Sequence, residues 1–546
     1  SREFLKQLKH FGFSDRSIAY WLKKEEKEIR KLRKDWGIHA IFKMVDTCAA
    51  EFSARTNYFY STYLGENEAV PTKGEKKALV IGSGPIRIGQ GVEFDYSAVH
   101  CIHTLQKLGY DAIMINNNPE TVSTDYETAD RLYFEPLTVE HILNVIENEG
   151  IDVTIVQFGG QTAINLAEKL EHAGVKLLGT TSELLDILED REKFYLLLDQ
   201  TDIPHIKGAV AHTKEEALTE AKKLQFPILL RPSYVIGGRG MVKVESEEEL
   251  AQLVEQAEEN HFPLLLDEFL HGKEAEVDLV ADGENVYIPG FMEHIEPAGV
   301  HSGDSFAIFP SVYLSEETKA KMADYAERMV KHLRYKGIMN IQFLIDKEKV
   351  YVLEVNPRAS RTVPIVSKIA GISLVELAAT VLDGKSLPDL SIQQADHHFV
   401  AVKYPVFSTH AHSDVDMKLG PEMKSTGEGM CIGKTVEEAM RKVFDHLFPI
   451  EENGIFIDGV LNAAVPRDLK LANDDFASWI ERKEAALYYN PDNSAQAKER
   501  RQKVLERGIA VLTEEASFLE FLKACSVSDY TPVSLHELTN KGVEIS

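Results

Sequence analysis

Four residues in "EVNPRASRTVP" (354–364) have side chains suited to handling phosphate: Glu354, Asn356, Arg358 and Arg361. Glu354 and Asn356 stand two apart, so on an extended chain both leave the same face. Just upstream, "MNIQFLID" offers Gln342. One carboxylate and two amide oxygens are hard ligands, of the kind Mg²⁺ takes when bridged to nucleotide phosphates. Arginines just beyond would neutralise a phosphoryl group in transfer. A plainer reading stays open: a strand end is where charges reach water, and Arg358 could simply pair with Glu354.

Four other stretches carry candidate chemistry. "IGSGPIRIGQG" (81–91) is a glycine-rich turn between a strand and a helix, where backbone amides could meet a phosphate or carboxylate. It is not a dinucleotide fingerprint, since Pro85 breaks the spacing and the next strand ends in "NNNPETVSTD" without a ribose-binding acid. In "LLRPSYVIGGRGMV" (229–242), Arg231 leaves a strand ahead of a loop containing Gly237, Gly238 and Gly240. Such a loop can close over a triphosphate, although a plain hairpin turn would look the same. "LLLDEFLHGKEAEVD" (264–278) reads as strand, connector and strand, with Glu274 and Glu276 able to accept from ribose hydroxyls or merely to face solvent. "EHIEPAGVHSGDS" (293–305) gathers His294, His301, Ser302 and Ser305 in one polar loop.

Positioning these groups requires several elements. Residues 1–64 are helical in pattern, with Ser14 a cap candidate, and "LGENEAVPTKGEKK" (64–77) reads as a linker. "KALVIGSG", "DAIMINNN", "VTIVQFGG" and "VKLLGT" are short apolar strands alternating with helices, the pattern of a covered parallel sheet. From about 190 the texture becomes α+β, and after about 425 α/β-like again. For Gln342 and Glu354 to share a site, Phe343 should face Leu353 and Ile345 should face Tyr351 across the hairpin. A tighter turn would oppose Ile345 to Val350 and swing Gln342 to the other face, unless a bulge repairs the slip.

At 546 residues the chain has room for roughly three or four domains. A formal charge of −27 argues against a nucleic-acid or anionic-membrane surface, so an anionic substrate must be met by local arginines and amides. No apolar run approaches the ~18 residues of a membrane span. Cys48, Cys101, Cys431 and Cys525 lie far apart without metal-ligand spacing, which suits a reducing cytoplasm.

Taken in order, these stretches resemble the ATP-grasp fold, and more narrowly the carbamoyl phosphate synthetase large subunit. "GPIRIGQGVEFDYSAVH", "NNNPETVSTDYETADRLYFEPLT", "RPSYVIGGRGM" and "EVNPRASRTVP" are similar to its carboxyl-terminal half, which phosphorylates carbamate. The resemblance implies an α/β and α+β multidomain chain: 1–64 the end of a helical oligomerisation domain, 65–77 a linker, 78–190 a pre-ATP-grasp α/β domain, 191–424 an ATP-grasp domain, and 425–546 a divergent regulatory-like domain of the methylglyoxal-synthase type. It implies ATP and two Mg²⁺ or Mn²⁺ ions, with Gln342, Glu354 and Asn356 as metal ligands. Arg231, Arg358 and Arg361 become the catalytic anion contacts. Glu268 and Leu270 fall at the adenine edge, Glu274 at the ribose, and Gly299, Val300, His301 and Ser302 on the nucleotide loop. A potassium ion near Glu274, His294 and Ser305 is implied as well. Implied partners are a glutaminase small subunit, the other half of the large subunit, and further copies of the chain. The C-terminal segment shows no Thr–Gly anion pocket, so a nucleotide effector is not expected, which favours an arginine-pathway enzyme over a pyrimidine-pathway one. The rival readings are another ATP-grasp carboxylate ligase, similar to biotin carboxylase, and a nucleotide-binding module without turnover.

Overall fold

The computed structural model describes residues 1–546 apart from 54, 88–90, 233–240, 258–261, 393–397, 408–415, 448–453, 462–463, 466–468, 470, 473–474, 482–484, 528–529, 531 and 533–546. The helices Arg2–His10, Asp15–Leu22 and Glu26–Asp35 open the chain, and Ser14 caps the second by accepting from Ser17 N. Leu5, Ile18, Ala19, Ile29 and Ile38 form their small core.

The helical reading of 1–64 fails after the third helix. Ile41–Met44 and Tyr58–Thr62 are strands, and successive side chains of the second take opposite faces, Phe59 buried while Tyr60 faces out. They extend a six-stranded sheet whose spatial order is Ile41–Met44, Tyr58–Thr62, Arg131–Phe134, Asp111–Asn116, Lys77–Ile81, Val153–Ile155. All its pairings are parallel except the edge pair. Residues 65–77 are therefore no linker between domains: they join two strands of one sheet, and Ala69 is fully buried in its core. "VKLLGT" contributes only a single bridge, Thr154 to Leu177. The helix Glu93–Lys107 covers one face of the sheet, and Val139–Glu149 and Ala167–His172 cover the other.

Two antiparallel sheets follow. The smaller runs Gly208–Ala211, Leu264–Glu268, Ile228–Pro232, Val242–Val244, with the helices Lys214–Ala221 and Glu247–Gln256 on its core. The larger has eight strands, ordered Lys349–Asn356, Lys336–Asp346, Lys273–Asp282, Met292–Pro297, Ala307–Phe309, Val400–Val406, Gly427–Gly433, with Val286–Tyr287 beside Lys273–Asp282. The apolar helices Val363–Ala370 and Leu374–Leu382 lie between this sheet and Glu93–Lys107, so the parallel and antiparallel domains share one core. Among the described residues no single helix is long and apolar enough to cross a membrane. The boundary expected at 424 moves, because Gly427–Gly433 pairs along Val400–Val406 as the last strand of the large sheet. The C-terminal unit is α/β as expected. Its parallel strands are Gly454–Ile457, Ala485–Tyr489 and Ala510–Leu512, with the helices Ala495–Glu506 and Glu515–Ala524.

Candidate functional site

The hairpin Lys336–Asp346/Lys349–Asn356 decides where the site's donors point. Its turn is tight: Asp346 opposes Lys349, Ile345 opposes Val350 and Phe343 opposes Val352, with Lys347 at φ 57°. The expected pairs Phe343–Leu353 and Ile345–Tyr351 do not form, since they needed a longer loop. The register then shifts between Gln342 and Phe343, leaving Leu353 as the extra residue of a bulge. Beyond it Gln342 lies directly opposite Glu354 and Asn340 opposite Asn356. One bulge thus undoes the slip imposed by the turn and returns Gln342, Glu354 and Asn356 to a common face. The carbonyl of Leu353 accepts from Arg191 Nη1 at 3.0 Å, so the irregular peptide keeps a partner.

The candidate arginines separate. Arg358 donates to Asn356 Oδ1 at 3.2 Å and, through Nε, to Gln161 Oε1 of the parallel domain at 3.1 Å. It makes no ion pair with Glu354; Asn356 Nδ2 instead donates to Glu354 Oε1 at 3.0 Å. Burial pushes the Arg358 guanidinium below its ordinary range. Arg361 turns the other way, 3.2 Å from Glu428 and 3.5 Å from Glu93. Lys403 joins that group, 3.7 Å from Glu428 and donating to Ser302 O at 2.6 Å. Arg231 lies across the smaller sheet, 3.6 Å from Asp267, with its buried Nε unpartnered. Burial, then the neighbouring Arg191, pushes the Arg231 guanidinium down.

Asp267 and Arg191 escaped the reading of the sequence. Asp267 accepts from Tyr195 Oη at 2.5 Å and from Arg191 at 3.1 Å. A Cβ on Gly208 would meet Asp267 Oδ1 at 2.1 Å, so this strand position must be glycine for the carboxylate to fit. The only sequence signals were an aspartate ending the apolar run "LLLD" and an arginine just after a helix cap, both commonplace.

On Lys273–Asp282 the acids Glu274, Glu276 and Asp278 share one face, and it turns inward rather than to solvent. Glu274 Oε1 accepts from Gly299 N at 3.2 Å, and burial raises its pKa. Glu276 is engaged within the fold. His294 Nε2 at 3.2 Å and Asn340 Nδ2 at 2.9 Å already hold it, keeping its pKa low against the opposing effect of burial. Burial raises Asp278 to about 6, while Thr362 donates to it at 2.6 Å. A carboxylate only accepts, so the bond to Glu276 places a proton on His294 Nε2. Nδ1 lies 3.8 Å from Glu274; like Ser305 Oγ, it is buried without a hydrogen-bond partner.

The loop Gly299–Ser302 closes over this row. Gly299 has φ 99° and packs so close to Phe269 that a Cβ would meet the ring at 2.9 Å. Val300 is buried, and His301 Nδ1 accepts from Gly303 N at 3.0 Å. Glu268 and Leu270 lie at the end of the smaller sheet, where Glu268 already accepts from Gln225 N at 2.9 Å. The glycine loop with Gly237, Gly238 and Gly240 lies outside the described residues. Glu354, Gln342 and Asn356 stand at one strand end and are by type a donor set suited to a divalent cation beside phosphate, although Asn356 Oδ1 here accepts from Arg358 and Glu354 Oε1 from Asn356.

Residues 74–187 match the family model described as the carbamoyl phosphate synthase preATP-grasp domain, and residues 190–390 match the carbamoyl-phosphate synthase L chain, ATP binding domain. The chain is 53% identical over 553 residues to the arginine-specific large chain of carbamoyl phosphate synthase from Bacillus subtilis, an alignment covering 100% of this chain and 53% of that one. It is 50% identical over 541 residues to the corresponding Geobacillus stearothermophilus chain, covering 97% and 52%. A carbamoyl phosphate synthase large chain from Clostridium beijerinckii is 49% identical over 460 residues, covering 83% and 43%. The chain thus spans about half the length of these relatives. In fold it is similar to the biotin carboxylase domain of Hydrogenobacter thermophilus 2-oxoglutarate carboxylase, with TM-score 0.55 and 19% identity over 69% of this chain and 90% of that one. Biotin carboxylase from Campylobacter jejuni gives TM-score 0.53 and 17% identity over 68% and 91%.

Proposed function

Because the chain belongs to the carbamoyl phosphate synthase large-chain family, we propose that it phosphorylates carbamate, moving the γ-phosphoryl group of ATP onto a carbamate oxygen to give carbamoyl phosphate and ADP. The observation that carries this reading is the bulged hairpin, which turns Gln342, Glu354 and Asn356 to one side with Arg358 bonded to Asn356. Those three side chains would hold Mg²⁺ or Mn²⁺, which when bound shields the charge of the phosphate oxygens. Arg231, poised against Asp267 with its Nε free, would grip a phosphate from the smaller sheet. Arg358 would meet the transferred group, and Arg361 the carbamate side, within reach of Glu93 and Glu428. The chain supplies no nucleophile; it orients two anions and offsets their charge. Glu274 would accept from the ribose, with Glu268 and Leu270 at the adenine edge and Gly299–Ser302 covering the nucleotide.

The unpartnered Ser305 Oγ and the Glu274 carboxylate, with His294 beside them, would hold a monovalent cation such as K⁺. Two relatives named as arginine-specific large chains, about half of whose length this chain spans, support an arginine-pathway enzyme that works with the other half of a large chain; a glutaminase small subunit and a cytoplasmic location belong to the same proposal. The test is ATP synthesis from ADP and carbamoyl phosphate, which needs no ammonia delivery. Formation of ATP that depends on carbamoyl phosphate and Mg²⁺ supports the reading. Nucleotide binding without turnover, in the isolated chain and with its partners added, overturns it.

A further inference from the structure

Residues 416–425 touch both the C-terminal unit and the loop over the nucleotide cleft. At one end, the Asp416 carboxylate takes a two-pronged bond from Arg501, Nε at 2.8 Å and Nη2 at 2.9 Å. Arg501 is buried on the helix Ala495–Glu506, and its remaining prong donates to Asn490 Oδ1 at 3.1 Å and Asp492 O at 2.6 Å. Lys418 adds an ion pair to Glu514 at 2.6 Å. At the other end, Lys424 N and Ser425 N both donate to the buried Asp304 carboxylate, at 2.9 and 2.8 Å. Between the ends, Gly420 O accepts from His301 N at 2.8 Å, and Met423 Sδ lies 3.4 Å from Arg361 Nη1. Lys424 Nζ reaches back to Asp416 O at 2.8 Å, tying the segment's own ends together.

We propose that this segment is a strap and that Asp416 and Arg501 are positioning residues, whose pairing holds His301 and Arg361 in place for the reaction. The inference rests on the reading of the cleft given above and adds the C-terminal unit as part of what orders it. A charged, two-pronged pair fixes direction as well as distance, which a single neutral bond would not. The residues that brace Arg501 also face a cavity of about 420 Å³ lined by Asp458, Asn490, Asp492, Ser494 and Arg500. Displacing Asn490 or Asp492 from that side would therefore reach the cleft through three contacts: theirs with Arg501, that of Arg501 with Asp416, and that of Gly420 with His301.

Asp416→Asn keeps the shape of the side chain and removes its charge, and Arg501→Ala removes the partner. In the full chain, hydrogen exchange of the 299–306 and 416–425 backbone should rise in both variants, while exchange in 74–187 stays unchanged. In the reverse reaction the KM for carbamoyl phosphate should rise about three- to tenfold with kcat less affected, the size expected for coupling through packed intermediaries. The double variant should match Arg501→Ala rather than add to it. If exchange at 299–306 does not rise, or the two substitutions add in full, the strap is overturned. If exchange rises but the parent chain makes no ATP, the strap stands and the catalytic reading falls.

Discussion

Two buried clusters of charge in this molecule are built on opposite principles. Where the N-terminal helices dock on Val139–Glu149, Lys9 and Arg33 face Asp15 and Glu140, and all four are at most 3% exposed. Lys9 lies 2.6 Å from Glu140 and 3.1 Å from Asp15, Arg33 lies 2.9 Å from Asp15, and Tyr63 donates to Glu140 at 3.0 Å. The charges match and the carboxylate oxygens are engaged, so the cluster is complete without a ligand. In the cleft, Glu274, Glu276 and Asp278 stand in a row with Glu354 nearby, against His294 and an Arg358 turned to Asn356 and Gln161. His294 Nδ1, Ser305 Oγ and Arg231 Nε are buried there without a hydrogen-bond partner. Burying unmatched polar groups costs stability, so these atoms are candidates to bond a ligand. Burial of charge is common to both clusters; the charged groups of the first are all partnered, and those of the second are not.

The largest effect should come from breaking the complete cluster. Arg33→Met leaves Asp15 buried beside Lys9 alone, and stability should fall by about 3–5 kcal/mol, read as a shift in the urea midpoint. The KM values of the folded protein should not move; a shift in them would mean that the two clusters are coupled. Next comes Arg231→Ala in the incomplete cluster. We expect it to cost roughly 3 kcal/mol in kcat/KM, the scale of one preorganised contact, with an unchanged urea midpoint. Near-normal turnover would return Arg231 to a structural role.

Glu135 tests a third arrangement, a buried carboxylate with neutral partners. Burial raises it from 4.5 to about 7, although Ser61 donates to it through both its amide and its hydroxyl. A raised carboxylate holds its proton more tightly in the folded chain, so its contribution is fully present below pH 4.5 and is lost as pH rises to about 7. Glu135→Gln should remove that slope and be roughly 2–3 kcal/mol more stable than the parent at pH 8, relative to pH 4.5. Parallel stability–pH curves for the two proteins would refute the assignment. The smallest effect is expected from uridine or inosine monophosphate, because Asp458 and Asp492 face the C-terminal cavity and oppose a phosphate. Titrating either nucleotide should barely change ATP synthesis, and a strong saturable response would show an anion site there after all.

How far the site was legible depended on the range of the interactions that build it. Glu354, Asn356 and Arg358 come together as their types and spacing suggested, because strand alternation is local, whereas Gln342 joins them only through the bulge. Arg361 was read as a neighbour of Arg358, yet it points to Glu93 and Glu428, which are distant in sequence. Asp267 and Arg191 gave no usable signal, since their pairing joins a strand end to a helix start across the cleft. The strands Ile41–Met44 and Tyr58–Thr62 were hidden by the helices before them, and only the sheet edge they complete makes them strands.

The sequence by itself determined the chemistry available at the strand end, the alternation of covered parallel strands with helices, and the antiparallel texture that follows. These depend on residue type and on periods of a few residues, which any stretch of chain carries within itself. Tertiary structure alone decided the register. The turn at Lys347 sets the slip, the bulge at Leu353 cancels it, and the carbonyl thrown out there is met by Arg191, far away in the chain. A one-residue offset costs little locally but turns a whole strand face around, so only the packed fold selects between the two outcomes.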